Sequence, residues 1–112
     1  MHLQQGASPS MANSPEGLRT ILRRLLGNED YTQVRASLAD RWIENPANRQ
    51  NQQGFEQWTR QLDPQVFQYN RLKPEEKGAY VTALKKASPE GYKRFVENYR
   101  WAQQYNLLPG VR

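Results

Sequence analysis

Cysteine is absent from the 112-residue chain, and histidine occurs once, at His2. Without cysteine there can be no disulfide bond and no thiolate chemistry. Small enzymes usually rely on His, Cys or a buried carboxylate pair to transfer protons or attack near neutral pH. Because the first two are so scarce, His-based catalytic triads and most His-bearing metal sites are excluded. We therefore expect no catalytic residue, no metal site and no cofactor, and we predict that the protein is not an enzyme.

Two pairs of carboxylates remain as candidates for acid–base chemistry. Asp40 and Glu44 are four residues apart, and Glu75 and Glu76 are adjacent. The first pair is typical of a solvated helix face, and the second is typical of a first helical turn, where the helix dipole stabilises acids. The glycines are scattered singly, so the chain has no phosphate-binding glycine loop. Neither pair therefore gives a specific reason to expect catalysis.

The chain also lacks any run of about 18 apolar residues and any N-terminal signal with a basic and then an apolar segment. We therefore expect a cytoplasmic protein without membrane insertion, although export by a leaderless route would leave no recognisable signal. Residues 1–13 mix Gly, Ser, Pro and Gln with a single Leu, a composition typical of a flexible leader. Met11 is an alternative natural start. Residues 14–112 are predicted to form a single helical domain.

Positive charge and aromatic residues are what the chain does contain. Sixteen Lys and Arg against eleven Asp and Glu give a net charge of +5, and there are three Trp, three Phe and six Tyr. The charge favours an acidic partner, although a small surplus is also common in ordinary soluble domains. Most aromatic residues lie at helical spacing, which favours a folded domain despite the low mean hydropathy of -1.00.

Apolar residues recur at three- and four-residue steps through most of the chain, which predicts an all-α fold. No stretch longer than four residues alternates in the manner of a strand. We expect a small helical bundle of five or six helices, two of them short. The predicted helices cover residues 14–26, 31–44, 55–62, 63–72, 73–87 and 88–106, and Asp63 is expected to cap the fourth of them.

Only residues 27–30 separate the first two predicted helices. Gly27 follows an apolar stretch, where glycine commonly ends a helix, and such a short link favours an antiparallel pair. We therefore predict an N-terminal antiparallel helix hairpin packed on the shorter helices, followed by an exposed loop at residues 45–54. The apolar face of the first helix of this hairpin consists of Leu18, Ile21, Leu22 and Leu25.

Residues 88–106 show the clearest helical pattern. Ser88 is a suitable N-cap, followed by Pro89 at the first helical position. Asn106 is suited to the left-handed capping position at the other end. We expect this long C-terminal helix to be the central helix of the bundle, with an apolar stripe formed by Tyr92, Phe95, Val96, Tyr99 and Ala102.

The polar side of the same helix carries the candidate partner-binding residues Lys93, Arg94, Arg100, Trp101 and Tyr105. Lys93 and Arg94 lie near the positive end of the helix dipole, where a purely structural role would favour acids. Trp, Tyr and Arg are also the residues that dominate interface hot spots. Trp101 is either packed by the N-terminal hairpin or exposed as a binding anchor.

These features favour a non-catalytic binding or adaptor module that docks an acidic protein partner through its basic, aromatic helical surface. The alternative is a nucleic-acid-binding protein whose Arg and Lys contact phosphates while Trp and Tyr stack on bases. Glu90 and Glu97 dilute the positive charge that such binding needs. A DNA-reading helix-turn-helix is disfavoured, because Glu29 and Asp30 at the start of the second helix would repel phosphates.

Overall fold

The computed structural model describes residues 14–110, and within that range the chain is all-α, as predicted. None of its helices is long and apolar enough to cross a membrane. The leader predicted at residues 1–13 lies outside the described range. In chain order the elements are α1 (Pro15–Glu44), a 3-10 turn (Pro46–Asn48), α2 (Gln52–Trp58), α3 (Pro64–Asn70), α4 (Pro74–Ala87) and α5 (Pro89–Gln104).

The prediction of an N-terminal helix hairpin is wrong, because α1 continues as one 30-residue helix through residues 27–30. Gly27 does not end a helix here. It lies where α1 passes so close to α3 that a Cβ on Gly27 would be 2.6 Å from the Cα of Gln68. Only glycine lets the two backbones approach to this distance. The residue that resembles a helix stop in the sequence is therefore a packing contact in the structure.

Asp30, which the sequence places at the start of the second helix of the predicted hairpin, also has a different role. Asp30 is buried, and its carboxylate accepts two hydrogen bonds from the Arg71 guanidinium, at 2.7 Å from Nε and 2.9 Å from Nη2. These bonds raise the pKa of Arg71 above its ordinary value. Since a buried carboxylate requires such partners, this bidentate pair holds α1 against the end of α3.

The short helix α3, rather than the C-terminal helix, lies at the centre of the bundle. It packs against α1, α4 and α5, and its Val66 and Phe67 are 1% and 0% exposed. Asp63 begins it as predicted, because its Oδ1 accepts a hydrogen bond of 3.0 Å from the Gln65 amide nitrogen. A seven-residue helix can occupy the centre because longer helices cover it on several sides.

The predicted ends of α5 are confirmed. Ser88 Oγ accepts a hydrogen bond of 3.0 Å from the Gly91 amide nitrogen, which caps the first turn. Asn106 has a φ of 57°, the left-handed conformation expected of a residue that ends a helix. The Leu107 amide nitrogen then donates back to the Ala102 carbonyl at 2.9 Å. This return buries Leu107 in the core and ends the helix.

The segment predicted as an exposed loop, residues 45–54, is only partly a loop. It contains the 3-10 turn, and α2 already begins at Gln52 with Asn51 as its N-cap. The indole of Trp42 stacks on that of Trp58 with ring centroids 5.5 Å apart, and its Nε1 donates to the Asn51 carbonyl at 3.2 Å. These contacts hold α2 against the C-terminal half of α1 and thereby position Trp58.

A cluster of tyrosines and one phenylalanine joins α3, α4 and α5. The Tyr69 ring lies 5.0 Å from that of Phe95 and 5.7 Å from that of Tyr80. Burial raises the pKa of the Tyr69 phenol above 10.0, and the nearby Tyr99 adds to this effect. Burial also raises the pKa of the Tyr80 phenol, against the opposing effect of a hydrogen bond from Gln65. Both phenols therefore ionise less readily than a tyrosine free in solution.

Candidate docking surface on the C-terminal helix

All five candidate binding residues lie on α5 or at its C-terminal cap, but they form two adjacent rows rather than one strip. Lys93 and Arg100 are two turns apart and form the outer row. Arg94, Trp101 and Tyr105 form the second row, which lies between the outer row and the core. Lys93, Arg94, Arg100 and Tyr105 are exposed, and Trp101 is half-buried.

The second row reaches, through Arg94, a cleft of about 420 Å³ between α5 and the end of α2. Arg94 lines this cleft from α5, and Trp58 and Arg60 line it from the other side. The remaining lining residues are Gln57, Gln61, Glu97 and Asn98. The structure therefore adds an indole and a second guanidinium to the predicted binding residues.

No local pattern in the sequence assigns Trp58 or Arg60 to the site. Trp58 fitted the apolar face of a short helix, and Arg60 carried no pattern of its own. Both lie more than thirty positions before Arg94 in the sequence, and no short-range signal connects them with α5. Their proximity follows from the packing of α2, which depends on the stacking of Trp58 on Trp42.

Hydrogen bonds hold the segment between α2 and α3 in place along this cleft. Thr59 is buried and donates from Oγ1 to the Phe55 carbonyl at 2.9 Å. Asp63, which caps α3 through one carboxylate oxygen, accepts through the other a hydrogen bond of 3.3 Å from Asn98 Nδ2 on α5. Because Asn98 lines the cleft, the cap of α3 also fixes one wall of the candidate site.

Trp101 is half-buried, which is intermediate between the two positions that the sequence left open. It packs against the hydrophobic core, although no N-terminal hairpin exists to cover it. Its ring also lies 5.2 Å from that of Tyr105, which is 44% exposed. Tyr105 is therefore more exposed than Trp101, whose ring contacts it.

Positive charge prevails on this surface. Two carboxylates, Glu90 and Glu97, lie on the exposed side of α5. They are outnumbered by four exposed cations, Arg60, Lys93, Arg94 and Arg100. Within residues 14–110 none of these four takes part in an ion pair, so their charge is available to a partner.

Of the four carboxylates considered for catalysis, Glu76 has polar partners in the structure. Glu76 accepts a hydrogen bond of 3.0 Å from Arg23 and one of 2.9 Å from the Lys73 amide nitrogen, which gives it a structural role. No cluster of His, Asp and Glu between residues 14 and 110 is suited to hold a metal ion.

Comparison of the chain with protein-family models, with curated proteins and with solved structures finds no match. The surface carries the neighbouring rings of Trp101 and Tyr105, exposed cations that form no ion pair within residues 14–110, and a cleft lined by two of those cations, Arg60 and Arg94.

Proposed function

We propose that the protein is a non-catalytic docking module that binds an acidic protein partner through α5 and the adjoining cleft. The observation that carries the proposal is the cleft itself, which is lined by Arg94, Arg60 and Trp58. An acidic side chain entering it would meet two cations and one aromatic wall, against the single carboxylate of Glu97. Tyr105 and Trp101 extend the contact surface beyond the cleft.

A protein partner explains this surface better than a nucleic acid does. Glu97 lines the cleft, and Glu90 lies on the same side of α5, so a phosphate backbone running along the helix would meet both carboxylates. Trp101 is half-buried, and its ring lies 5.2 Å from that of Tyr105 at an angle of 52°, which leaves little of its face for a nucleobase. A protein can place its own polar groups beside the two glutamates.

The proposal is tested by capture followed by reconstitution. The wild-type chain and an Arg94→Glu variant are immobilised in parallel, and proteins from the native host that bind only the wild type are identified and purified. Titration calorimetry then measures the dissociation constant of each purified protein. We expect Tyr105→Ala to raise this constant by about tenfold or more, which corresponds to about 1.4 kcal/mol for a hot-spot residue.

The matched control is Arg41→Glu, which alters the net charge as Arg94→Glu does but changes an exposed arginine on α1. Binding that weakens equally in both variants would reflect net charge alone and would contradict a defined cleft. The salt dependence of the affinity distinguishes protein binding from the alternative function, nucleic-acid binding. If DNA or RNA is the ligand, affinity falls with a logarithmic slope of about 0.9 for each phosphate contacted. A protein interface with aromatic anchors responds less steeply.

A further inference from the structure

The first three turns of α1 carry an apolar face that no described part of the chain covers. We call it the α1 outer face, and it consists of Leu18, Ile21, Leu22, Leu25 and Leu26, which are 49%, 36%, 56%, 56% and 44% exposed. Together they present on the order of 400 Å² of contiguous apolar surface, as large as the biggest patches found on typical monomers. Patches of this size commonly mark interaction sites.

The α1 outer face points away from the bundle. Gly27, Tyr31, Val34 and Leu38 lie on the side of α1 that packs against the other helices. Helical spacing places the α1 outer face on the opposite side. These side chains are therefore exposed because of their positions around the helix axis, and a small rotation of α1 would not bury them.

The inward side of the same three turns is held by polar contacts. Arg23 reaches α4, where its Nη1 lies 3.0 Å from a carboxylate oxygen of Glu76. Thr20 borders a small cavity beside Tyr69 and Tyr80, and the exposed Arg24 borders it from the edge between the inward side and the α1 outer face. Since the pair of Arg23 and Glu76 fixes the orientation of α1, it also keeps the α1 outer face directed towards solvent.

Charge distinguishes among the possible occupants of this face. Between residues 15 and 26 the helix carries three arginines and one glutamate. Two copies packed through this face would bring their arginines together, and like charges at such an interface are destabilising. The arginine Arg23 is already paired with Glu76, which leaves Arg19 and Arg24 to face a partner. A partner with carboxylates at those positions is favoured.

We propose that the α1 outer face is a second docking surface that receives an amphipathic helix from a partner protein, with apolar residues at three- and four-residue steps and carboxylates along its edges. Helix-on-helix recognition of this type uses anchors at the spacing that the five apolar residues of α1 supply. The surface is separate from the α5 cleft. The chain would then connect two protein segments, as an adaptor does.

The test uses a defined probe, a fluorescently labelled amphipathic peptide about 18 residues long, with leucine at the core positions of its heptads and glutamate beside them. A matched peptide carries lysine in place of each glutamate. Fluorescence anisotropy measures the binding of both to the full chain. We expect saturable binding of the glutamate peptide, in the micromolar range, and binding of the lysine peptide that is at least about tenfold weaker.

Variants of α1 locate the binding. Leu22→Gln with Leu25→Gln should weaken binding of the glutamate peptide by about tenfold or more without lowering the melting temperature, because both side chains are exposed and glutamine is a good helix former. Ile43→Gln is the matched control, since Ile43 is 47% exposed on the same helix but lies outside this face. Arg19→Glu with Arg24→Glu should reverse the preference between the two peptides.

Three results would overturn the proposal. One is a glutamate peptide that does not bind, or that binds the Leu22 and Leu25 variant as tightly as the wild type. Another is a dimer in sedimentation velocity that this variant converts to a monomer, which would identify a second copy as the occupant. The third is binding to anionic phospholipid vesicles with none to either peptide. Tyr105→Ala should leave peptide binding unchanged, which separates this test from that of the α5 cleft.

Discussion

Replacing Gly27 by alanine should destabilise the protein, whereas the same replacement of Gly78 should stabilise it. Both glycines lie inside α-helices, where alanine is the better helix former by about 1 kcal/mol. They differ in what a Cβ would meet. At Gly78 nothing lies within 4 Å, but at Gly27 the backbone of α3 lies 2.6 to 2.9 Å away.

The expected loss of stability in Gly27→Ala follows from the distance by which α1 and α3 must move apart. Carbon atoms in favourable contact are about 3.5 to 4.0 Å apart, so α1 and α3 must separate by about 1 Å to admit the methyl group. Overpacking of this type costs about 3 kcal/mol where the obstructing atoms belong to the backbone. After the helix-propensity gain is subtracted, Gly27→Ala should lose about 2 kcal/mol and Gly78→Ala should gain about 1 kcal/mol.

Urea and thermal unfolding followed by circular dichroism measure both differences. For a domain of this size we expect the melting temperature to fall by roughly 10 °C for Gly27→Ala and to rise by roughly 5 °C for Gly78→Ala. Equal shifts of the same sign would refute the close approach of α1 to α3, because only that approach distinguishes the two positions.

Gly27→Asn separates this explanation from the hairpin that the sequence suggested. If Gly27 ended a helix in the left-handed conformation, asparagine would be tolerated better than alanine. If Gly27 is a packing contact, asparagine should be worse than alanine, because it is larger and forms helices less readily. A Gly27→Asn variant more stable than Gly27→Ala would therefore contradict the continuous helix.

Three further predictions concern the core and the end of α5. Asp30→Ala should lower the free energy of unfolding by about 3 kcal/mol in urea titrations, because it leaves Arg71 without its carboxylate; a loss below about 0.5 kcal/mol would show that the pair is not formed. Above pH 10 the unfolded chain should release the Tyr69 and Tyr80 protons before the folded chain does, so the free energy of unfolding should decline with rising pH. This decline should be smaller in Tyr69→Phe, which lacks one of the two phenols. Asn106→Gly should be neutral or slightly stabilising and Asn106→Val destabilising in thermal unfolding, since the φ of 57° excludes a branched side chain.

Local signals in the sequence predicted much of the helical structure. Ser88 and Asp63 cap helices as predicted, because a capping side chain bonds to a backbone nitrogen only two or three residues away. Asn106 ends α5 for an equally local reason. Such features depend on neighbouring residues and not on the rest of the fold.

The hairpin was predicted wrongly because its signals were ambiguous. The apolar residues before Gly27 and those after Asp30 lie on opposite sides of one helical axis, and such a change of phase commonly accompanies a turn. A continuous helix shows the same change when its apolar face is packed in one half and exposed in the other, as in α1. Only the position of α3 reveals that Gly27 is a contact and that Leu22 and Leu25 are exposed.

The candidate docking surface was partly predictable for a similar reason. Helical periodicity identified Arg94 and Tyr105 as residues outside the apolar stripe. The opposite wall of the cleft depends on tertiary packing, because Trp58 and Arg60 reach Arg94 only through the stacking of α2 on α1. A pattern within one helix carries no information about such a distant segment.

The most direct test of the proposed docking function is amide-signal mapping by nuclear magnetic resonance, with the isotope-labelled chain titrated by the protein partner recovered through capture. Docking in the cleft predicts that signals from residues 57–61 and 94–105 shift or broaden in a saturable manner, while those of α4 away from the cleft remain unchanged. Signal changes spread over every Lys- and Arg-bearing surface, or confined to residues outside both segments, would contradict it.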